Sequence, residues 1–225
     1  MRTTKLVVTA TCLLTALFVA ALPAKAGDFS PKIEFALSDT KVKANPQMTI
    51  HVEQDDDEEE LAAVKLTIPK GFILPADEAI ANGDRLGTGE IVIQVGPECH
   101  PTLGAIPVSA PATLPATLVE QDRSDDQADR GVSAVWVLNI QGVTRITLEV
   151  TGSVKAGWTL QGDIPANDFT CPPFSFDLTV DAKSSGGVPI VINPKKPGVK
   201  VFSATFTSAD SPTEVTITQP IKITK

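Results

Sequence analysis

Two neighbouring segments are the most informative about the fold: Val132–Ile140, VSAVWVLNI, and residues 145–150, RITLEV. In the second stretch Ile146, Leu148 and Val150 alternate with polar residues, which is the period of a β-strand with one face in the core. The first stretch is apolar at nearly every position, as expected of a central strand that is covered on both faces. Both patterns predict a layered β protein.

The same alternation recurs along the chain. It occupies residues 48–52, 64–68, 91–95, 174–180 and 202–206, and residues 215–223 suggest a closing strand at the C-terminus. Turn-forming residues separate these runs, for example Pro69-Lys70-Gly71, and they leave no room for long helices. We therefore expect an all-β protein, an immunoglobulin-like two-sheet sandwich of about nine or ten strands.

The strands are expected to form a single domain over residues 27–225, with a long loop near 101–131 that is rich in Pro, Ala and Thr. Ser184-Ser185-Gly186-Gly187 also has the composition of a flexible linker. Residues 188–225 contain too few strands to fold alone, so we expect them to complete the sheet.

The N-terminus has the pattern of a signal peptide. Residues 1–5 are basic, residues 6–22 are apolar, and Ala24-Lys25-Ala26 supplies small residues before a cleavage site. We expect a signal peptide over residues 1–26 and a mature protein that is secreted, extracellular or associated with the cell envelope. A retained anchor helix is the alternative. No later stretch is apolar enough to cross a bilayer as a helix, so we expect no transmembrane segment after cleavage.

Charge and cysteine content fit this location. Removal of residues 1–26 leaves 16 basic and 27 acidic side chains, a net charge of about −11. Such a surface repels nucleic acid, which we exclude as a partner. The mature chain keeps Cys99 and Cys171, and in an oxidising compartment an even pair predicts one disulfide. Two free thiols are the alternative.

Two acidic runs are the candidate metal-binding residues, because calcium prefers carboxylate oxygens. The first begins Asp55, Asp56, Asp57, Glu58 and continues to residue 60. The second contains Asp122, Asp125, Asp126 and Asp129, interleaved with two arginines. Neither has the ligand spacing of an EF-hand loop, so the simpler interpretation is two solvated loops. We therefore expect no cofactor, and calcium is the one candidate.

Catalytic residues are not indicated. The chain has two histidines, His51 and His100, and no nucleophile-elbow motif. Trp136 lies in the most apolar strand, which favours a core position. Trp158 is the candidate for ligand contact.

Four segments resemble a family of exported immunoglobulin-like modules from actinobacterial envelope proteins. They are residues 61–72 (LAAVKLTIPKGF), 80–87 (IANGDRLG), 150–160 (VTGSVKAGWTL) and 192–206 (INPKKPGVKVFSATF). The resemblance implies a sandwich fold and export. It carries over no catalytic residue, because these are scaffold motifs.

The function expected from the sequence is therefore a non-enzymatic, exported interaction module that binds an unknown envelope or extracellular protein. A calcium-dependent module that binds a protein or a glycan is the alternative. A glycoside hydrolase that uses a pair of carboxylates is less favoured, because the sequence does not show two acids at the required separation.

Overall fold

The computed structural model describes residues 29–55, 58–75, 79–95, 110–141, 143–164 and 174–225. These ranges contain eleven β-strands and one short helix, so the all-β prediction is confirmed. The strands are β1 (Lys32–Leu37), β2 (Met48–Gln54), β3 (Leu61–Ile68), β4 (Arg85–Val95), β5 (Ala110–Gln121), β6 (Val132–Ile140), β7 (Thr144–Ser153), β8 (Gly157–Asp163), β9 (Phe174–Val180), β10 (Gly198–Ser208) and β11 (Glu214–Ile223), and the helix is α1 (Asp125–Asp129).

The strands form one hydrogen-bonded sheet in the order β1-β2-β9-β4-β5-β6-β7-β8-β3-β10-β11. Every neighbouring pair in this order is antiparallel. The sheet curls until its first and last strands approach each other. The segment after β1 is hydrogen-bonded to the end of the chain. The Thr224 amide donates to the Thr40 carbonyl at 2.8 Å, and the Thr224 carbonyl accepts from the Val42 amide at 3.0 Å.

The alternating sequence pattern produces the core. In β2, Met48, Ile50 and Val52 are buried and the residues between them are more exposed. One cluster of buried side chains runs from Phe29 near the start of the described chain to Ile223 near its end. Burial of the apolar side chains of this cluster is the main stabilising contribution to folding.

Aromatic side chains occupy the centre of this core. Trp136 is 1 % exposed, as its position in the most apolar strand predicts. The ring of Phe202 lies 5.4 Å from that of Phe35 in β1 and 5.2 Å from that of Phe72. Phe202 therefore joins the first strand of the sheet to the next-to-last one.

Strand β6 is covered on both faces, as predicted. Trp136 and Leu138 point into the main core, whereas Val135 and Val137 form a second small cluster with Val132 on the outer face. Val119 packs against this second cluster, and α1 lies beside β6. This arrangement explains why the stretch has no polar face.

The region expected to be a long loop, 101–131, contains a strand and a helix. Strand β5 pairs with β4 along its length and with β6 from Ala116 onward. Pro111 and Pro115 lie before that second pairing begins, so neither removes a ladder hydrogen bond to β6. Strand β5 is rich in small residues and prolines, so its sequence lacks the clear alternation of apolar and polar residues that predicts a strand.

The segment with linker composition, residues 184–187, forms a tight connection. Asp84 accepts hydrogen bonds from the hydroxyls of Ser184 at 3.2 Å and Ser185 at 3.1 Å. The following strands join the main sheet, because β10 pairs with both β3 and β11. Residues 188–225 therefore complete the sheet.

Several expectations stay predictions. The strands form one continuous order, so the immunoglobulin-like division into two sheets is not established. Residues 1–26, the predicted signal peptide, lie outside the described ranges. In the ranges that are described, no helix has the length and apolar character needed to cross a membrane.

Candidate functional site

The two cysteines of the expected mature protein, Cys99 and Cys171, lie outside the described residues. The strand before Cys99, β4, and the strand after Cys171, β9, are neighbours in the sheet, and Ile91 is paired with Phe176. Strand β4 ends at Val95, four residues before Cys99, and β9 begins three residues after Cys171. The disulfide stays a prediction, and a comparison of intact mass with and without reductant would test it.

The first acidic run is held by several different partners. Asp55 forms an ion pair with Lys32 at 3.0 Å, while Glu58 accepts a hydrogen bond from the Ser30 hydroxyl at 2.7 Å. The contact with Asp55 raises the pKa of Lys32. Asp56 and Asp57 lie outside the described residues. These described carboxylates face separate donors, so they do not converge on one point.

The end of the same run packs against the turn between β10 and β11. The Glu59 carboxylate accepts hydrogen bonds from the hydroxyls of Ser208 at 2.6 Å and Ser211 at 2.5 Å, and these bonds lower its pKa. Burial, and then the nearby charge of Asp210, raise the pKa of Glu60. The run is therefore a structural connection between β2 and the β10–β11 turn.

The second acidic run leads into α1. Ser124 caps this helix in a capping box with Gln127, and Asp125 and Asp126 occupy its first turn, where negative charge is stabilising. Asp122 instead accepts a hydrogen bond from Asn82 at 3.0 Å. In the described part of the chain no group of three or more His, Cys, Asp or Glu side chains could hold a metal ion. Calcium binding at either run stays a prediction.

Trp158, the candidate for ligand contact, lies in the core. Its side chain is 7 % exposed, and its Nε1 donates a hydrogen bond to the Phe72 carbonyl at 2.9 Å. The indole thus has an apolar environment and a satisfied polar atom, as buried tryptophans usually do. The structure places it against the strand connection after β3 instead of on a binding surface.

His51 lies on the outer face of β2 between two carboxylates. Its Nε2 is 3.1 Å from Glu53 and its Nδ1 is 2.7 Å from Asp177 on β9. The hydrogen bonds to Glu53 and then Asp177 raise the pKa of His51. His100 lies outside the described residues.

A polar groove lies on the outer face of β7 and β8. Its volume is about 590 Å³, within the range of small-ligand sites. The floor contains Thr147 and Thr151 from β7 and Gln161 from β8. In the sheet register Glu149 lies opposite Gln161, so side chains from the two strands stand next to each other.

Arg130, the residue that follows the short helix α1, also lines this groove. Arg130, just after α1, forms two hydrogen bonds to the Glu149 carboxylate, at 2.9 and 2.6 Å, and Gln127 donates a third at 3.1 Å. These contacts lower the pKa of Glu149 and raise that of Arg130. Glu149 therefore anchors the helix to β7.

The other charged residues of the groove are Arg145 and Asp163. Arg145 is exposed and donates a hydrogen bond to the Gln121 side chain at 3.3 Å. With Arg130 and Glu149 these residues give two positive and two negative charges. The groove is therefore strongly polar but has no formal net charge.

The groove has no recognisable signal in the sequence. Its polar residues on β7 and β8 are the outward-facing positions of ordinary alternating strands, and nothing in their spacing distinguishes them from other solvated positions. The informative signal is the register of β7 against β8 together with the position of α1. Both depend on tertiary structure.

A second space lies inside the core. It is an apolar cavity of about 60 Å³, lined by side chains that include Ile50, Val64, Leu148 and Phe176. Its volume is less than half that of the engineered cavity of about 150 Å³ that binds benzene. We interpret it as a packing defect.

No protein-family model matches the chain, and no curated protein shows significant similarity to it.

Proposed function

We propose that this chain is an exported, non-enzymatic β-sandwich that acts as a binding module at the cell envelope or outside the cell. The observation that supports the proposal is the polar groove formed by β7, β8 and Arg130. It is concave, it has the size of a ligand site, and its side chains offer both donors and acceptors. The partner is an envelope or extracellular macromolecule.

The surroundings of the titratable residues support binding over catalysis. Both ring nitrogens of His51 bond to carboxylates, so neither is available to take a proton from a nucleophile. Asp55, Glu58 and Glu59 each accept contacts from structural partners. A pair of acids poised around a substrate would need carboxylates that are not committed in this way.

Packing across the core supports the sandwich. The cavity is lined by residues of β2, β4 and β9, such as Ile91, and by residues of β6 and β7, such as Leu138. Strands that are distant in the sheet order, such as β2 and β7, therefore contact the same space inside the protein.

Co-sedimentation tests the proposal. The mature protein, residues 27–225, is mixed with envelope fragments and with the secreted polymers of the organism that produces it. We expect saturable binding that a double variant, Arg145→Ala with Gln161→Ala, weakens. The control variant Thr88→Ala, an exposed position on β4, should bind like the wild type. Absence of binding by the wild-type protein to any fraction would contradict the proposal.

One observation keeps the calcium-dependent alternative open. Oε2 of Glu58 is buried and has no hydrogen-bond partner in the described part of the chain. A cation at this oxygen would stabilise the native state and raise the melting temperature. No change in the melting temperature at millimolar calcium would remove this alternative.

A further inference from the structure

The groove defines the chemistry of its ligand, if the proposed function holds. Arg130 and Glu149 neutralise each other through two hydrogen bonds. Arg145 and Asp163 add one charge of each sign. A strongly charged ligand would therefore find no net opposite charge in the groove, and it would gain little net attraction.

The remaining groups suit a ligand that carries many hydroxyls. Each hydroxyl of Thr147 and Thr151 can donate and accept a hydrogen bond, and so can the side-chain amide of Gln161. The arginines of the groove present planar sets of donors, and its carboxylates present planar sets of acceptors. A hydroxyl on a sugar ring also donates and accepts, and adjacent hydroxyls fit such planar groups in pairs. The threonine methyl groups provide apolar contact for the carbon–hydrogen face of a sugar ring.

A peptide fits the groove less well. Protein interfaces concentrate their binding energy in aromatic or aliphatic anchors that fill desolvated pockets. Among the residues that line this groove none has a large apolar side chain, and Gly162 is the one residue without a polar side chain. The exposed valines of the described surface are Val154, in the turn after β7, and Val199 and Val201 on β10, and none of the three lines the groove.

We propose that the groove lined by β7, β8 and Arg130 is a binding site for an uncharged saccharide. This inference rests on the proposed function and narrows it to a ligand class. Glu149 is a positioning residue, because it holds α1 in place. Gln161, Thr151 and Asp163 are the residues that contact the sugar.

Amide chemical shifts of the mature protein report binding at the groove. The probes are glucose, galactose, mannose and N-acetylglucosamine at tens of millimolar, with glucuronate as the acidic counterpart. At least one neutral sugar should shift amides of β7 and β8, with saturation. The variant Thr151→Val with Gln161→Ala should bind about tenfold more weakly, because it loses two hydrogen-bonding groups. Thr88→Val, which replaces a threonine on the exposed face of β4, should bind normally.

The outcomes separate this inference from the proposed function. Shifts in β7 and β8 with a neutral sugar, reduced in the double variant whose other amides keep wild-type positions, support the saccharide site. If the protein co-sediments with envelope material but neutral sugars leave these amides unchanged, the saccharide inference is wrong and the binding function stands. Shifts with glucuronate alone also overturn it. Loss of both signals contradicts both proposals.

Discussion

Gln219 closes the seam between the first and last strands with its side chain. Its Oε1 accepts a hydrogen bond from the Phe35 amide at 2.6 Å, and its Nε2 donates to the Phe35 carbonyl at 2.8 Å. The next residue, Pro220, has no amide hydrogen to offer to a neighbouring strand. The side-chain amide therefore makes the pair of bonds that a backbone would otherwise supply.

Substitution of Gln219 by Glu should weaken this seam. A carboxylate still accepts from the Phe35 amide, but it cannot donate to the Phe35 carbonyl. We expect the free energy of unfolding to fall by about 1–3 kcal/mol, measured by urea denaturation. Thr218→Ala, at the exposed neighbouring position, should change it by less than about 0.5 kcal/mol. Equal stability of wild type and Gln219→Glu would show that the seam does not depend on this residue.

His51 gives a pH dependence that can be measured. Glu53 and Asp177 raise its pKa above the usual value of 6.5. The folded state thus holds the proton more tightly than the unfolded state, and this contribution to stability is fully present below about pH 6.5. It is lost as the pH rises through the raised pKa. The difference in the free energy of unfolding between the wild type and His51→Gln should therefore become smaller as the pH rises from about 6.5 through the raised pKa.

Nuclear magnetic resonance titration checks the cause. The imidazole of His51 should titrate above 6.5, and its pKa should fall in both Glu53→Gln and Asp177→Asn. His51→Gln assigns the signal, because His100 gives the other imidazole resonance. A pKa at or below 6.5 in the wild type would contradict the observed contacts.

Strands β4 and β9 approach each other closely at a glycine. A Cβ atom on Gly89 would lie 2.4 Å from the backbone carbonyl oxygen of Asp177, too close for any real contact. Gly89→Ala should therefore push the strands apart and lower the free energy of unfolding by about 1–3 kcal/mol. If there were no clash, Gly89→Ala would stabilise the protein, because alanine lowers the conformational entropy of the unfolded chain. The sign of the change in the free energy of unfolding therefore shows whether the clash exists.

Urea denaturation of Gly89→Ala and of Thr88→Ala would measure this effect. Thr88 is exposed on the neighbouring position of β4, so its truncation should have little influence. An alanine at position 89 that stabilised the protein would show that β4 and β9 pack differently from the register described above.

The sequence predicted best those strands whose buried and exposed faces differ most clearly in polarity, or whose residues are apolar on both faces. Strands β2 and β7 alternate strictly, and β6 is apolar on both faces, so their sequences alone identified them. Strand β5 presents mostly small residues and prolines on its outer positions, so its alternation has little contrast. The sheet order could not be predicted, because pairing of β9 with β4 and of β8 with β3 joins segments distant in sequence.

The candidate site was still less accessible to sequence analysis. The acidic runs stood out as runs of charge, yet Glu59 and Asp55 serve as acceptors for structural contacts. Arg145 and Gln161 did not stand out, because outward-facing polar residues occur on every half-buried strand. Their proximity follows from the register of β7 and β8.

The core as a whole is not fully packed. A cavity of about 60 Å³ lies between the strands, and Val64 lines it. Val64→Ile would place one more methylene group in this space and should raise the free energy of unfolding by about 0.5–1 kcal/mol. Val199→Ile, at a side chain that is 63 % exposed, should have little effect. If Val64→Ile destabilised the protein in thermal melts, the cavity could not accept the added group.

On the scale of the whole molecule, we propose that the protein binds its partner through the outer face of β7 and β8. Hydrogen exchange measured by mass spectrometry, with the mature protein alone and bound to envelope polysaccharide, would locate the binding surface. We expect slower exchange in β7, β8 and α1 on binding, and no such change in the variant Arg145→Ala with Gln161→Ala. Binding that leaves these three elements unchanged and protects the loop after β2 instead would contradict it.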